Sequence, residues 1–145
     1  MDKIVFITGA SSGIGAGCAR KFASQGASLI LNARNVNKLS ALKEELEKQY
    51  GAKIYLLPFD VRDRKAATSA LESLPKEWQS IDILVNNAGL VIGTDKEQEG
   101  SLDEWDIVID TNIKALLAMT RLIVPGMVER KRGHIINIGS IAGDA

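Results

Sequence analysis

A glycine-rich segment follows the first apolar run of the chain and restricts what the chain can fold into. Ile4-Val5-Phe6-Ile7 leads directly into Thr-Gly-Ala-Ser-Ser-Gly-Ile-Gly at residues 8–15. A buried strand that enters such a turn and then a helix can hold phosphate groups at the positive end of the helix dipole. We expect Gly9 to permit a sharp turn, Gly13 to admit a pyrophosphate and Gly15 to allow close helix packing. The candidate cofactor-binding residues here are Gly9, Ala10, Ser11, Ser12, Gly13, Ile14 and Gly15.

Apolar runs alternate with amphipathic helical patterns along the chain. Strands are predicted at 3–8, 28–33, 53–58, 81–85 and 134–138, and helices at 14–25, 37–50, 64–74 and 102–130. The last helix is expected to be interrupted near Pro125-Gly126, and residues 90–100 are predicted to form a polar loop. Continuous apolar strands between helices indicate a parallel sheet covered on both faces. The predicted fold class is α/β, a doubly wound Rossmann-type sheet of order 3-2-1-4-5 in one domain, 1–145.

Composition excludes several classes of protein. The 145-residue chain has 18 basic and 18 acidic residues, so no basic field indicates a nucleic-acid or anionic-membrane partner. The basic cluster Arg130-Lys131-Arg132 follows a helix and is interpreted as charge at the helix C-terminus. No apolar stretch reaches the length of a membrane span, and we expect no signal peptide because the chain enters the first strand at once. Cys18 is the only cysteine, which excludes a disulfide and a cysteine-rich metal site and favours the cytoplasm.

The end of the second strand indicates which cofactor is bound. An acidic residue about twenty positions after the glycines bonds the ribose 2′-hydroxyl in NAD-binding proteins and repels a 2′-phosphate. This chain has Asn32-Ala33-Arg34-Asn35 instead. Arg34 can bind a phosphate in a bidentate manner, although it could also be a solvated surface arginine. We therefore predict NADP(H) rather than NAD(H), with Arg34 and Asn35 as cofactor-binding residues.

Polar residues also follow the third and fourth strands. Asp60-Val61 could meet an adenine, with Asp60 accepting from its amine, or Asp60 could cap the helix that begins near Arg64. Asn86-Asn87-Ala88-Gly89 lies at the carboxyl end of the fourth strand, where open α/β sheets bind ligands. Its amides could tie neighbouring strands together, and its small residues leave room for a ribose. Asn87, Ala88 and Gly89 are therefore further cofactor-binding candidates.

Two later polar residues are candidates for the chemistry itself. Asn112 lies in a strongly helical run, where asparagine is a mediocre helix former, and could bond water or a carbonyl near the site. Ser140 follows the fifth strand, and its hydroxyl could bond a substrate carbonyl. A nucleophilic role for Ser140 is unsupported because the only histidine, His134, lies at the opposite end of that strand. His134 is expected at the surface.

Taken together, these motifs resemble the short-chain dehydrogenase/reductase family. The matching segments are 8–15, Asp60-Val61, Asn86 to Gly89, Asn112 and Ile136 to Ser140. The stretches 81–89 and 125–130 resemble its NADP-dependent 3-hydroxy acid, or serine-type, dehydrogenase branch. The resemblance implies hydride transfer between a nicotinamide and a small alcohol or hydroxy acid, or its carbonyl form. By resemblance, Ser140 orients the substrate oxygen and Asn112 supports a water-linked proton relay.

The resemblance also implies parts that the sequence does not contain. The family's Tyr-x-x-x-Lys motif is expected roughly a dozen residues after Ser140, beyond Ala145, and Tyr50 and Tyr55 do not replace it. A lysine near the tyrosine lowers the pKa of the phenol so that it can act as an acid and base. Family members commonly form dimers or tetramers through the long helix 102–130. If the chain ends at Ala145, we expect an apolar sheet edge at 134–138 and exposure of the apolar helix face that carries Ile113, Leu116, Leu117 and Leu122.

Two other functions are compatible with the same residues. The chain could be a nucleotide-binding module without redox activity that a partner chain completes. It could also be a Rossmann-like protein with only an interaction or regulatory function.

Overall fold

Five strands and four helices form the part of the chain that the computed structural model describes, which is residues 2–87 and 102–138, with side chains of the second range described from Asn112 onward. The strands are β1 (Ile4–Ile7), β2 (Ser28–Leu31), β3 (Ile54–Leu56), β4 (Ile83–Asn86) and β5 (His134–Asn137). The helices are α1 (Gly13–Ser24), α2 (Val36–Tyr50), α3 (Arg64–Glu72) and α4 (Leu102–Arg130), and a 3-10 helix spans Lys76–Trp78. The predicted loop 90–100 lies outside the described residues.

The strands form a single parallel sheet in the order β3-β2-β1-β4-β5. β1 lies at the centre, with Phe6 paired to Ile30 of β2 and to Leu84 of β4. The predicted parallel sheet and strand order are confirmed. The carboxyl ends of β1 and β4 are neighbours, so the segments that follow them meet at one edge of the sheet.

Alternate residues of β1, β2 and β4 are buried on opposite faces of the sheet, whereas all four residues of the edge strand β5 are exposed. Val5 and Ile7 pack with α1 and α2, whereas Phe6 packs with α3, the 3-10 helix and α4. This alternation follows from the two-residue period of a strand. Because both faces are covered, the strands carry continuous apolar runs. The expected sheet covered on both faces is confirmed.

The first three helices begin at capping side chains. Ser12, Asn35 and Asp63 each accept a hydrogen bond from a backbone N–H three residues later in α1, α2 and α3. Such caps satisfy donors that have no partner within the helix. The alternative in which Asp60 caps the helix that begins near Arg64 is therefore wrong, because Asp63 holds that position.

Helix α4 continues through Pro125, so the predicted interruption near Pro125-Gly126 is wrong. A proline removes one helical hydrogen bond, but Pro125 is exposed, and the carbonyl that loses its partner belongs to the exposed Arg121. On the opposite side of the helix, Ile123 and Met127 are buried against the sheet. This packing keeps the helix continuous.

The basic cluster at the end of α4 is held by specific contacts rather than by the helix dipole alone. Arg130 Nη2 donates to the Ile81 carbonyl at 2.6 Å, and Arg132 Nε pairs with Asp82 Oδ1 at 2.8 Å. The other Asp82 oxygen accepts from the Ile4 N–H at 3.0 Å. Asp82 is buried, so it joins the start of β1 to the segment that leads into β5.

Apolar side chains are exposed on β5 and α4. Ile135 and Ile136 of the edge strand are exposed, as are Ile113, Leu117 and Leu122 of α4, whereas Leu116 is half-buried. The expected exposure is confirmed for all but Leu116. His134 is exposed, as predicted. Among the described residues, no helix is long and apolar enough to cross a membrane.

We predict that Asp82→Ala lowers the free energy of unfolding by about 2 kcal/mol, because it leaves the Ile4 N–H without its acceptor and Arg132 without its partner. Urea denaturation of the two proteins measures the difference. The control is Glu45→Gln, which removes the exposed Arg20–Glu45 pair and should change stability by less than about 1 kcal/mol. Equal stability of Asp82→Ala and the unchanged protein would contradict the role given to Asp82.

Candidate functional site

The turn after β1 is held in one conformation by its own hydrogen bonds. Gly9 has a left-handed backbone with a φ of 61°, which glycine adopts without steric cost. The Ser12 hydroxyl donates to the Gly9 carbonyl at 2.9 Å and accepts from the Gly15 N–H at 3.1 Å. The sharp turn expected at Gly9 is confirmed.

Gly15 makes the closest backbone approach in this turn. A Cβ added there would overlap the Gly9 carbonyl oxygen and lie 2.7 Å from Nδ2 of Asn87. A Cβ added at Gly13 would meet no atom within 4 Å. The close packing expected at Gly15 is therefore confirmed, whereas the space beside Gly13 is open to a molecule from solvent.

Asn87 fastens the end of β4 to the turn after β1. Its Nδ2 donates to the Gly9 carbonyl at 3.1 Å and to the Ser12 hydroxyl at 2.9 Å. Its backbone N–H donates to the Thr8 hydroxyl at 2.9 Å. The structure thus brings two sequence motifs, 8–15 and the segment after β4, into direct contact.

Asn86 makes the corresponding contact on the other side of β4. Its Nδ2 donates to Asn137 Oδ1 of β5 at 3.0 Å and to Thr120 Oγ1 of α4 at 3.2 Å. The Thr120 hydroxyl donates in turn to the Leu116 carbonyl at 2.9 Å. The prediction that the amides of this motif tie neighbouring segments is confirmed for both asparagines.

The first turn of α1 has backbone donors that can face an anion. The first N–H groups of a helix have no partner within it. Here the Gly15 N–H bonds Ser12, while Gly13 and Ile14 precede it and both are exposed. The first turn contains no acidic side chain. The dipole and these donors therefore favour a negatively charged group at this end of α1.

Asn32 joins the turn after β1 to the segment after β3. Its carbonyl accepts from the Ala10 N–H at 2.7 Å, and its Nδ2 donates to the carbonyls of Leu57 and Phe59 at 3.1 and 3.0 Å. Asn32 and Ala10 are both buried, and Ser11 is half-buried. This bridging role was missed in the sequence, although a polar residue at the end of an apolar strand was a signal for it.

Arg34 and Asn35 follow Asn32 at the surface. Both are exposed. The Asn35 side chain accepts from the Lys38 N–H at 3.1 Å and begins α2. Arg34 takes part in none of the ion pairs among residues 2–87 and 112–138 for which the structure describes side chains.

Asp60 is bound by an arginine that the sequence interpretation missed. Asp60 Oδ1 accepts from the Arg62 N–H at 2.9 Å and from Arg62 Nε at 3.1 Å, and Oδ2 accepts from Arg62 Nη2 at 2.9 Å. This contact holds the pKa of Asp60 below its ordinary value, and the charge of Arg34 contributes in the same direction. The same contact raises the pKa of Arg62. The spacing of two residues between Asp60 and Arg62 was the signal in the sequence for this contact.

No described hydrogen bond or ion pair joins the remaining candidates to the turn after β1 or to the residues that follow β2, β3 and β4. The Val61 side chain is buried in the core with Phe6 and Ile30. Asn112 of α4 is also buried, and its Nδ2 has no hydrogen-bond partner among the described residues. Ala88, Gly89 and Ser140 lie outside the described residues.

Comparison with known proteins identifies the family. A family model described as short chain dehydrogenase matches residues 3–145, which is nearly the whole chain. The chain belongs to the short-chain dehydrogenase family. The predicted resemblance to this family is thereby confirmed.

The relatives of this chain include a dehydrogenase and a reductase whose names state a substrate. The NADP-dependent 3-hydroxy acid dehydrogenase YdfG of Escherichia coli O6:H1 is 49% identical over 140 residues, which cover 97% of this chain and 55% of that protein. Sulfoacetaldehyde reductase 2 of Chromohalobacter salexigens is 42% identical over 144 residues, which cover 99% and 56%. The chain spans about half the length of the curated relatives it matches. The first relative agrees with the predicted resemblance to the 3-hydroxy acid branch.

Solved structures of the family have the same fold. The crystal structure of serine dehydrogenase from Escherichia coli matches with a TM-score of 0.83 and 48% identity, covering 98% of this chain and 64% of that chain. The closed form of serine dehydrogenase complexed with NADP+ matches with a TM-score of 0.80 and 47% identity, covering 98% and 56%.

We predict that Gly15→Ala lowers the free energy of unfolding by about 2 kcal/mol or more, because the new methyl group overlaps the Gly9 carbonyl and the Asn87 amide. Chemical denaturation measures the change. Gly17→Ala is the matched control: it lies in the same helix, its Cβ would meet no atom within 4 Å, and it should be neutral or stabilising by up to about 1 kcal/mol. Similar effects of the two substitutions would show that the close approach at Gly15 does not limit the fold.

Proposed function

We propose that this chain is the dinucleotide-binding part of an NADP-dependent oxidoreductase. The reaction is hydride transfer between the nicotinamide and a small hydroxy acid or related alcohol, or its carbonyl form. Family membership supports the reaction class, and the names of the 3-hydroxy acid dehydrogenase and the NADP+ complex of serine dehydrogenase support the cofactor and substrate class. The observation that carries the cofactor assignment is an exposed Arg34, with no carboxylate at the end of β2.

The described residues fit the adenosine half of NADP(H). The open space beside Gly13 admits a diphosphate close to the first turn of α1, whose free N–H groups and dipole favour negative charge. Arg34 is available for the 2′-phosphate, and Asp60 lies at the same edge of the sheet to accept from the adenine amine. Bound in this way, the cofactor supplies the hydride, while the chain fixes its position.

The assignment of the other candidates follows the family resemblance. In the proposal, the cofactor site is completed by the backbone of residues 10–15, by Asn35 and Val61, and by the segment Asn87-Ala88-Gly89. Ser140 orients the substrate oxygen. Asn112 supports the proton relay, and a buried Nδ2 without a described partner supports that role because such a donor is costly unless something accepts from it. The exposed apolar residues of α4 support a homodimer or homotetramer that packs through this helix.

We predict that Arg34→Ala weakens NADPH binding about tenfold or more and NADH binding by less than about twofold, since only NADPH offers a 2′-phosphate to the guanidinium. Fluorescence titration of both cofactors measures the two constants. Lys48→Ala is the control, because it removes the same charge from the exposed last turn of α2. Equal weakening of NADPH and NADH by Arg34→Ala would refute the cofactor assignment.

We also predict that the 145-residue chain binds NADPH without oxidising it. Its tyrosines, Tyr50 and Tyr55, are not followed by lysine four residues later, so in the proposal neither acts as the proton donor that the family resemblance implies. Mass spectrometry first verifies that the protein has a mass of 15.7 kDa. Turnover is then measured from the absorbance of the nicotinamide in the presence of small keto acids. Turnover by that verified chain would contradict the proposal that further groups are needed. Binding without turnover agrees with the proposal and also with a nucleotide-binding module that a partner chain completes.

A further inference from the structure

A carboxylate lies at the same edge of the sheet as the arginine that the proposed function assigns to the 2′-phosphate. Asp60 follows β3, and the positive charge of Arg34 contributes to holding the pKa of its carboxyl below the ordinary value. The Asn32 side chain holds the segments after β2 and β3 at one edge of the sheet, because its Nδ2 donates to the carbonyl of Phe59 at 3.0 Å. An unpaired carboxylate at this position would attract Arg34 and repel a phosphate dianion.

Arg62 already occupies both oxygens of that carboxylate. Its side chain makes two parallel hydrogen bonds, at 3.1 Å to Oδ1 and 2.9 Å to Oδ2, and its backbone N–H adds a third at 2.9 Å. This bidentate geometry is the strong form of an arginine–carboxylate contact. The side chains of Arg62 and Asp60 keep 45% and 33% of their surface exposed, so the pair borders solvent where a ligand can approach.

The pairing leaves the second arginine available. Arg34 is exposed and is absent from the ion pairs among the side chains described in 2–87 and 112–138. Because Arg62 balances the charge of Asp60, the net charge of the Asp60, Arg62 and Arg34 side chains is one positive charge. Arg34 carries that charge. A free positive charge of this kind favours binding of a phosphate monoester.

We propose that Arg62 is a specificity-determining residue for the 2′-phosphate, and that it acts through Asp60 by neutralising this carboxylate and keeping Arg34 free for the ligand. The inference rests on the proposed function, because it assumes that the 2′-phosphate binds Arg34. Arg62 is a positioning residue here: it contacts Asp60, and the phosphate contacts Arg34.

The test uses two ligands that differ only by the 2′-phosphate and that need only the adenosine half of the site. Isothermal titration of the 145-residue chain with adenosine 2′,5′-bisphosphate and with adenosine 5′-monophosphate gives a ratio of dissociation constants. We expect Arg62→Gln to reduce the preference for the bisphosphate about fivefold, an order set by partly exposed charge interactions. The change should shrink at high salt, because screening weakens the repulsion from Asp60.

A double variant separates this role from a structural one. In Asp60→Asn/Arg62→Gln the carboxylate is neutral without its arginine, so the preference for the bisphosphate should return to within about twofold of the unchanged chain. Any loss of adenine contact at Asp60 affects both ligands and cancels in the ratio. Arg62→Lys, which retains the positive charge, should lose less of the preference than Arg62→Gln.

The chain also offers a matched control. Arg20 contacts Glu45 through Nε at 2.7 Å and Nη2 at 3.1 Å, with exposed fractions of 49% and 39%, which are close to those of the Arg62–Asp60 pair. This pair joins α1 to α2, and Arg20→Gln should leave the ligand ratio unchanged. Circular dichroism of every variant verifies that the helices are intact.

The outcomes separate this inference from the proposed function. If the unchanged chain binds neither ligand, or binds both equally, the proposed NADP(H) site is refuted and this inference with it. If the unchanged chain prefers the bisphosphate but Arg62→Gln weakens both ligands equally, Arg62 does not determine specificity. If the double variant keeps the reduced preference, Arg62 does not act through Asp60.

Discussion

The hydrogen bonds between Asn87 and the turn after β1 fix the geometry of the glycine-rich part of the candidate site. One amide group bonds the Gly9 carbonyl and the Ser12 hydroxyl, and Ser12 also caps α1. The position of the helix N-terminus relative to the sheet therefore depends on a residue that comes 75 positions later than Ser12. Gly15 is required at the same point because a methyl group would displace the carbonyl and the amide from each other. Any ligand held at the first turn of α1 is placed by this contact.

Much of the fold could be predicted because its determinants are local and repeat along the chain. A run such as Ile4 to Ile7 is apolar at every position, and that pattern is typical of a strand buried on both faces. The turn at Gly9 and the approach at Gly15 could also be predicted, since their conformations exclude most other residues. The parallel order then follows from strands that alternate with helices. The sheet, the order of its strands and the edge at which the candidate site lies could therefore be predicted from the sequence.

The remaining features depend on contacts between distant residues. Pro125 breaks a helix when considered alone, but burial of its neighbours against the sheet keeps α4 continuous. Asp60 and Asp63 are equally good caps by composition, and only the backbone geometry after β3 decides that Asp63 begins α3. The partners of Asn32, 25 and 27 positions later in the chain, could not be identified for the same reason. A sequence pattern indicates that a polar residue is at the end of a strand, but its partner is chosen by the tertiary arrangement.

Neutral and charged polar groups have different places in this site, and the physical reason is desolvation. Thr8, Asn32 and Asn86 are buried, and each satisfies its hydrogen bonds with nearby carbonyls, hydroxyls or amides. A neutral amide can be buried at small cost when it is fully bonded, whereas a buried charge is costly even when it is paired. Arg34 and Arg62 instead lie at the exposed border of the sheet edge. The neutral groups therefore hold the backbone in place, and the charges remain at the surface, where Arg34 can exchange water for an anionic ligand without first giving up a buried partner.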